Sequence, residues 1–386
     1  MATNVLLTVQ DIADQAALRL RENEVMSRLV SRDFDEKIAD KGDTVQIRVT
    51  NVFDAKDFDQ TGTIVAQSIV EGKRLLTLDK IKDVSVTLSS KEKTLNINDY
   101  TEQVINPAIE ALAKKVDQDL MGLYKNIPYH TGTAGTTPST LDAFAQANKI
   151  LNANKCPVNT DKAGVWDEEA DAKFCTLDAL VNAEKSGSTE ALKMGSIGKV
   201  FRIQNYMDQN VITHVAGGYT SLADVKAVVT AANNGETTNK IPYSQMVLTS
   251  TAGAATTALK AGDLIVVGTR QFTVLEDTAN AVAGVVTAKV YPALSANLAS
   301  TDAVFPDRVS RGHTANLVFH PRAFVFANRP LSTDLGGVEC AVASIDGLSV
   351  RVIRGFDQDT KVEKISFDIL YGILPLQPEL AVRVLG

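Results

Sequence analysis

Cysteine and histidine are scarce in this chain. Three cysteines, Cys156, Cys175 and Cys340, stand far apart among 386 residues. An odd count without close spacing argues against a disulfide framework and against a thiolate zinc site. Reduced, partly buried thiols in a cytosolic product are the reading that remains. The four histidines are His130, His214, His313 and His320. Long apolar runs are missing too: none approaches the roughly 18 residues that a spanning helix needs. Met1–Gln10 holds no positive charge and only a short apolar stretch, Val5–Leu7, which does not read as a secretion signal. No basic stripe stands out to grip phosphates, and the formal net charge is −7. Lys91–Lys93 and Lys114–Lys115 read as solvated faces.

Common catalytic signatures are absent as well. There is no His-Glu-x-x-His helix, no Gly-x-Ser-x-Gly elbow and no calcium loop. Gly195-Ser196-Ile197-Gly198-Lys199 echoes a phosphate loop, but Lys193 stands where the first glycine should be, so it reads as a turn. His320, within Phe319–Phe324, reads as a packing histidine, because no partner for a general base is visible. Asp167, Glu168, Glu169 and Asp171 could in principle bind magnesium. Their polar setting after Trp166 favours an exposed acidic loop, able to pair with basic residues of a neighbour. Asp357 and Asp359 read as turn formers.

What is present is ordinary globular composition, 45% hydrophobic and 22% charged. The length predicts two or three subdomains. Thr8 and Asp11 resemble a capping box, and Ile12, Ala16 and Leu20 share one helical face, continued by Val25, Met26 and Leu29. This amphipathic helix must cover something. Val45, Ile47 and Val49 alternate with polar residues, as do Val84, Val86 and Leu88. Phe53–Asp83 between them is polar, with Gly62 and Gly72 as breakers. These runs predict a long antiparallel ribbon with a mobile tip, which is marginal alone in water and calls for a neighbour. Ile105, Ile109, Leu112, Val116, Leu120 and Leu123 form an amphipathic stripe. Asn106-Pro107 reads as a cap with proline in the first turn, and a rod from Asp99 to Lys125 would measure roughly 40 Å.

Thr140–Asn154 is again helical, Gly164–Trp166 is a short strand, and Ala172–Val181 mixes both signals. Gly195, Gly198 and Val200–Ile203 suggest a turn into a strand. From Gly217-Gly218 to Phe305 the composition shifts to Thr, Ala and Gly. Gln245–Ser250, Leu264–Val267, Phe272–Leu275 and Val285–Tyr291 read as strands, with Gly268–Gln271 as a hairpin turn. This predicts an inserted small barrel or sandwich. Leu317–Phe319, Leu348–Ile353, Ile365–Leu370 and Leu380–Leu385 then complete an α/β domain that the insert has split.

Several stretches resemble the major capsid proteins of tailed bacteriophages. Asp368–Gly372 with Pro378–Val382 is similar to their closing strands. Leu317–His320, Ala323-Phe324 and Arg329–Leu331 resemble the adjoining segment. Lys260–Leu264 with Val290–Leu294 is similar to the inserted β-barrel in coat proteins of short-tailed Salmonella-type phages. The order of elements resembles the α+β fold of the Hong Kong 97 type: N-terminal helix, extended ribbon, spine helix and split α/β domain. The resemblance implies an N-terminal arm over 1–42, a ribbon loop and peripheral-domain strands over 43–90, and the spine region over 91–130. It further implies an axial domain over 131–216 and 306–386, with the barrel over 217–305.

The implied function is self-assembly into the icosahedral head of a double-stranded DNA phage, as hexamers and pentamers. Implied partners are a scaffolding protein, a portal protein, a decoration protein and packaged DNA without sequence-specific contacts. No cofactor, metal, membrane or catalytic residue is implied. The protein would be made in the bacterial cytoplasm and end in the virion. Assembly contacts are expected at Asp54, Lys56, Asp57, Asp59, Lys73, Arg74, Asp167, Glu168 and Glu169. Alternatives are an encapsulin-like compartment shell, an unrecognised hydrolase with an acid pair near Trp166, and a tail-tube or adhesin protein.

Overall fold

A computed structural model describes residues 9–33, 44–48, 72–89, 105–158, 160–182, 195–217, 225–236, 241–250, 258–308, 312–334, 336, 338–345, 348–358 and 362–386. The first element is helix α1 (Val9–Asn23), followed by the short α2 (Met26–Leu29). Ile12, Ala13, Ala16, Ala17 and Leu20 form its buried stripe. That stripe lies on the five-stranded sheet of the same chain and on the spine helix α3 (Asn106–Met121). The sheet runs β16 (Phe324–Arg329), β19 (Val362–Pro375), β18 (Leu348–Asp357), β17 (Glu339–Ile345), with β3 (Lys80–Ser89) on β19.

Helix α3 buries Ala108, Ile109, Leu112, Ala113, Val116 and Leu120 along one face. At 1.5 Å per residue its 16 residues span about 24 Å. It then tightens into a 3₁₀ segment, Gly122–Asn126. The expected rod is therefore shorter in its α-helical part, and its start at 99–104 lies outside the described residues. Asn106 is not a cap: Ile105 before it already has helical angles, φ −70° and ψ −50°.

The ribbon differs from expectation. Strand β1 (Thr44–Arg48) pairs antiparallel with β2 (Lys73–Thr77), not with the Val84–Leu88 run. That run belongs to β3, which pairs with β19 from Lys80↔Tyr371 to Ser89↔Val362. A ten-residue register satisfies far more backbone groups than a free arm could. The ribbon base is not free either. Val45, Ile47 and Leu76 pack on Val325, Ala327 and Leu374 of the same chain. The expectation that arm and rod find no partner within one molecule fails for these described parts. The tip, 49–71, lies outside them.

A second sheet runs β4 (His130–Gly132), β20 (Ala381–Leu385), β15 (Gly312–Phe319), β5 (Lys162–Trp166), β7 (Ile203–Met207), β6 (Lys199–Val200), with β8 (Thr213–Val215) on β15. Helices α4 (Asp142–Ala153) and α5 (Glu168–Cys175) belong to this part. Phe144, Trp166 and Phe174 form its aromatic core, with ring centroids 4.5–4.9 Å apart. The chain after 306 is thus shared between two sheets: β15 and β20 join this one, β16 to β19 the other.

Between them β9 (Val225–Glu236), β10 (Pro242–Ser250), β11 (Leu264–Val267), β12 (Arg270–Val274), β13 (Val285–Tyr291) and β14 (Leu298–Val304) close a barrel with its own apolar core. Six strands are present where four were expected. The β11–β12 turn is also tighter: Val267 faces Arg270, leaving Gly268-Thr269 as a two-residue loop, with Gly268 at φ +61°.

Where α1 and α2 meet the spine, Glu24 and Asp117 are fully buried. The Asp117 carboxylate accepts the Val25 and Met26 N–H groups at 2.9 and 3.1 Å. Burial pushes Glu24 up to about 8 and Asp117 up to about 7, against the Ser27 and backbone hydrogen bonds that favour their ionised forms. Asp208 adds repulsion on Asp117, and Asp117 on Glu24, where Arg32 and Arg28 act in the opposite direction. An acid raised in the folded state lets the unfolded chain ionise first, so stability is lost as pH rises from about 4.5 to about 8. Buried His130 and His313, lowered to about 4 and about 3, act in the opposite sense below about 6.5.

Two outcomes are expected. Glu24→Gln should gain stability over the parent between pH 5 and 8 in denaturant titrations; a pH-independent difference would contradict the buried acid. Leu112→Asp or Leu120→Asp should give insoluble protein, because an unpaired buried charge costs several kcal/mol; soluble, normally folded protein would contradict the spine's burial.

Candidate functional site

The chain enters the barrel after β8 and leaves it through Phe305 and the turn Pro306–Arg308 into β15. Around this neck the structure concentrates buried polar groups. Arg383, on the wholly buried strand β20, is fully enclosed. Its Nε donates to the Ile127 carbonyl at 3.0 Å, Nη1 to the Gly262 carbonyl at 2.7 Å and Nη2 to Thr273 Oγ1 at 3.0 Å. The guanidinium also lies 5.6 Å from the Tyr124 ring centre. Thr273 in turn donates to the Lys125 carbonyl at 2.8 Å. One side chain thus ties the end of the spine, the last strand and the barrel. Burial lowers Arg383 to about 10, so it stays charged at neutral pH.

Beside it, His214 lies between Tyr124 Oη, 2.8 Å from Nδ1, and Asp263 Oδ1, 2.9 Å from Nε2. Burial pushes Tyr124 up to about 12, so its hydroxyl keeps its proton. Asp263 also accepts the Gly217 N–H at 3.2 Å and the Lys260 N–H at 2.8 Å. A Cβ on Gly217 would stand 2.5 Å from the Ala258 carbonyl oxygen, so only glycine fits at the barrel entrance. His130 and Gln271 add a backbone-to-amide bond of 3.0 Å across the same junction.

The residues singled out from sequence fall in different places. Asp54, Lys56, Asp57 and Asp59 lie outside the described residues. Lys73 is exposed at the ribbon base, but Arg74 turns inward and donates to the Pro375 carbonyl at 2.8 Å. The acidic run is not a loop. Asp167 is buried as the N-cap of α5, accepting the Ala170 N–H, while its own N–H donates to Asn316 at 2.8 Å. Glu168 and Glu169 are exposed in the first turn, where carboxylates complement the helix dipole. Glu169 pairs with Lys173 at 3.0 Å. An acid pair for hydrolysis near Trp166 is therefore replaced by helix capping.

His320 does pack, as the cap of the turn Pro321–Ala323, with Nδ1 accepting the Arg322 N–H at 3.2 Å. The neck was missed in sequence. Its one signal is Arg383 inside an otherwise apolar run, Ala381–Leu385. Large exposed apolar residues also occur at an edge hairpin: Phe201 in the β6–β7 turn, and Tyr206 and Met207 at the end of β7.

No family profile and no curated protein matches the chain. Solved structures do. A chain from Mycobacterium phage Che8 is 17% identical, with TM-score 0.52, over 94% of this chain and 90% of that one. A chain of the bacteriophage PhiM1 mature capsid is 12% identical, with TM-score 0.48, over 90% and 82%. A virus-like particle from Pyrococcus furiosus is 7% identical, with TM-score 0.42, over 98% and 100%. The fold assignment rests on the Che8 likeness. The chain has the α+β fold of the Hong Kong 97 type found in phage capsids, as its order of elements suggested.

Arg383→Ala should cost about 3 kcal/mol or more, since it strands buried carbonyls. Calorimetry should then resolve separate melting of barrel and core. One unchanged transition would show that the neck does not couple them.

Proposed function

We propose that this chain is the major capsid protein of a tailed double-stranded DNA phage, closing with many copies of itself into an icosahedral head. The observation that carries this reading is the fold, matched over 94% of the chain. The chain supplies a packed body of spine helix and sheets, and a ribbon base anchored on it; residues 49–71 lie outside the described residues. Asp54, Lys56, Asp57 and Asp59 on that segment, with exposed Lys73, Glu168 and Glu169, are the charged residues proposed to meet neighbouring subunits. Arg74 and Asp167 leave that set, because their polar groups serve their own chain.

On this reading the subunits form hexamers and pentamers in the virion, after assembly in the bacterial cytoplasm. A scaffolding protein, a portal ring, a decoration protein and packaged DNA are the further partners proposed. The formal charge of −7 supports loose, sequence-independent contact with DNA.

Sedimentation and negative-stain microscopy of the expressed chain, with and without scaffold, test the proposal. Closed shells are expected; a discrete monomer under both conditions would contradict it. Deleting Asp54–Gly72 should leave folded subunits that form few particles. Unimpaired particle yield would remove the ribbon's role.

A further inference from the structure

Three of the chain's four histidines converge at the barrel neck. His214 and His313 face each other across β8 and β15, with ring centroids 5.2 Å apart, and His130 ends the adjoining connection from the spine. We infer that His214, Asp263 and Asp307 form a binding site for one divalent zinc-class ion, which clips the barrel's two connections together.

The donors are already assembled. One ligand atom from each residue lies within 4.8 Å of the other two, and all three residues are buried. His214 Nε2 and Asp263 Oδ1 are 2.9 Å apart. Ligands on one tetrahedral ion, with bonds of roughly 2.0–2.2 Å, sit about 3.3 Å from each other. Asp307, whose Oδ2 also accepts the Leu264 N–H at 3.4 Å, supplies the third donor. One imidazole nitrogen with two carboxylate oxygens suits zinc better than the all-oxygen shells of magnesium or calcium.

Two observations beside the donor set describe the surroundings of this site. His313 is 1% exposed, and neither of its ring nitrogens has a hydrogen-bond partner among the described residues. A buried polar group of this kind calls for a water or an ion nearby. The buried charge also leans negative: apart from the imidazoles, two carboxylates stand against the single guanidinium of Arg383.

Outer contacts hold the ligands in place. Tyr124 Oη lies 2.8 Å from His214 Nδ1 and is placed to accept the Nδ1–H of a ring bound through Nε2, and the Lys260 and Gly217 N–H groups fix Asp263. A groove of about 1000 Å³, lined in part by His214, Lys260 and Ala261, gives an approach from solvent. Coordination through Nε2 uses the neutral imidazole whose one proton sits on Nδ1, so binding changes the tautomer and leaves the charge on the ring unchanged. The three ligands lie just before the barrel, before its third strand and just after its last. An ion there would fasten entrance and exit in one place.

The test uses the full, untagged chain with zinc chloride alone, by equilibrium dialysis with elemental analysis and by thermal melts with and without EDTA. About one zinc per chain is expected, together with a rise of about 5 °C in Tm that EDTA reverses. Asp307→Asn keeps the side chain's shape and should weaken uptake roughly tenfold or more. Cobalt in place of zinc should give the visible absorption of a tetrahedral site, a readout that stability changes do not produce. Less than about 0.1 zinc per chain at ~0.1 mM free zinc would overturn the inference. So would equal uptake by His214→Gln and the parent chain, or uptake of manganese but not zinc.

Discussion

A buried guanidinium needs hydrogen-bond partners, and each nitrogen of Arg383 donates to a group from a separate part of the chain. The Ile127 carbonyl follows the spine, Gly262 and Thr273 belong to the barrel, and the arginine itself stands in the last strand. None of these segments can shift without stranding a charge in the interior. The barrel is therefore held by polar geometry at its neck as well as by two covalent connections. The main apolar cores of the barrel and of the rest of the chain are separate clusters, so the neck shares the coupling with the small cluster of Ala134, Leu264 and Leu385 and with the Tyr291–Glu379 hydrogen bond.

The rest of the architecture follows from burial. Helix α1 covers one face of the five-stranded sheet and leans on α3, and the ribbon base covers part of β16 and β19. This gives a subunit that is self-sufficient at its centre. The contacts proposed for assembly are Lys73, the first turn of α5 and the charged residues of the segment 49–71. On the proposed capsid reading, such a division would suit a lattice in which one chain occupies slightly different environments, because contacts can adjust while the packed body does not.

Much of this was legible in sequence where a period decides the structure. The stripe from Ile105 to Leu120 and the face from Ile12 to Leu20 could only be helices with a core to cover, and the structure buries both. Strands of the barrel rich in Val, Ile and Phe were equally plain. Strand β9, built of Ala, Asn and Thr around a few valines, was not, because its pairing with β10 and β14 comes from tertiary context. The ribbon partner was misassigned for a related reason. Alternation in Val84–Leu88 marks a strand, but only the register with β19 says which sheet it joins. Asp167 reads as one acid among four until the helix after it makes it a cap. The neck was the least visible feature: Tyr124, His214, Asp263 and Arg383 are brought together by pairings between distant strands, which no local pattern encodes.

The most direct measurement is a cryo-electron reconstruction of assembled particles. It is predicted to show a closed icosahedral shell whose independent subunits superpose over core and barrel as one body, differing mainly in ribbon and N-terminal segments. Particles in which the barrel turns on its neck from one lattice position to another, or a chain that never closes a shell, would contradict the account.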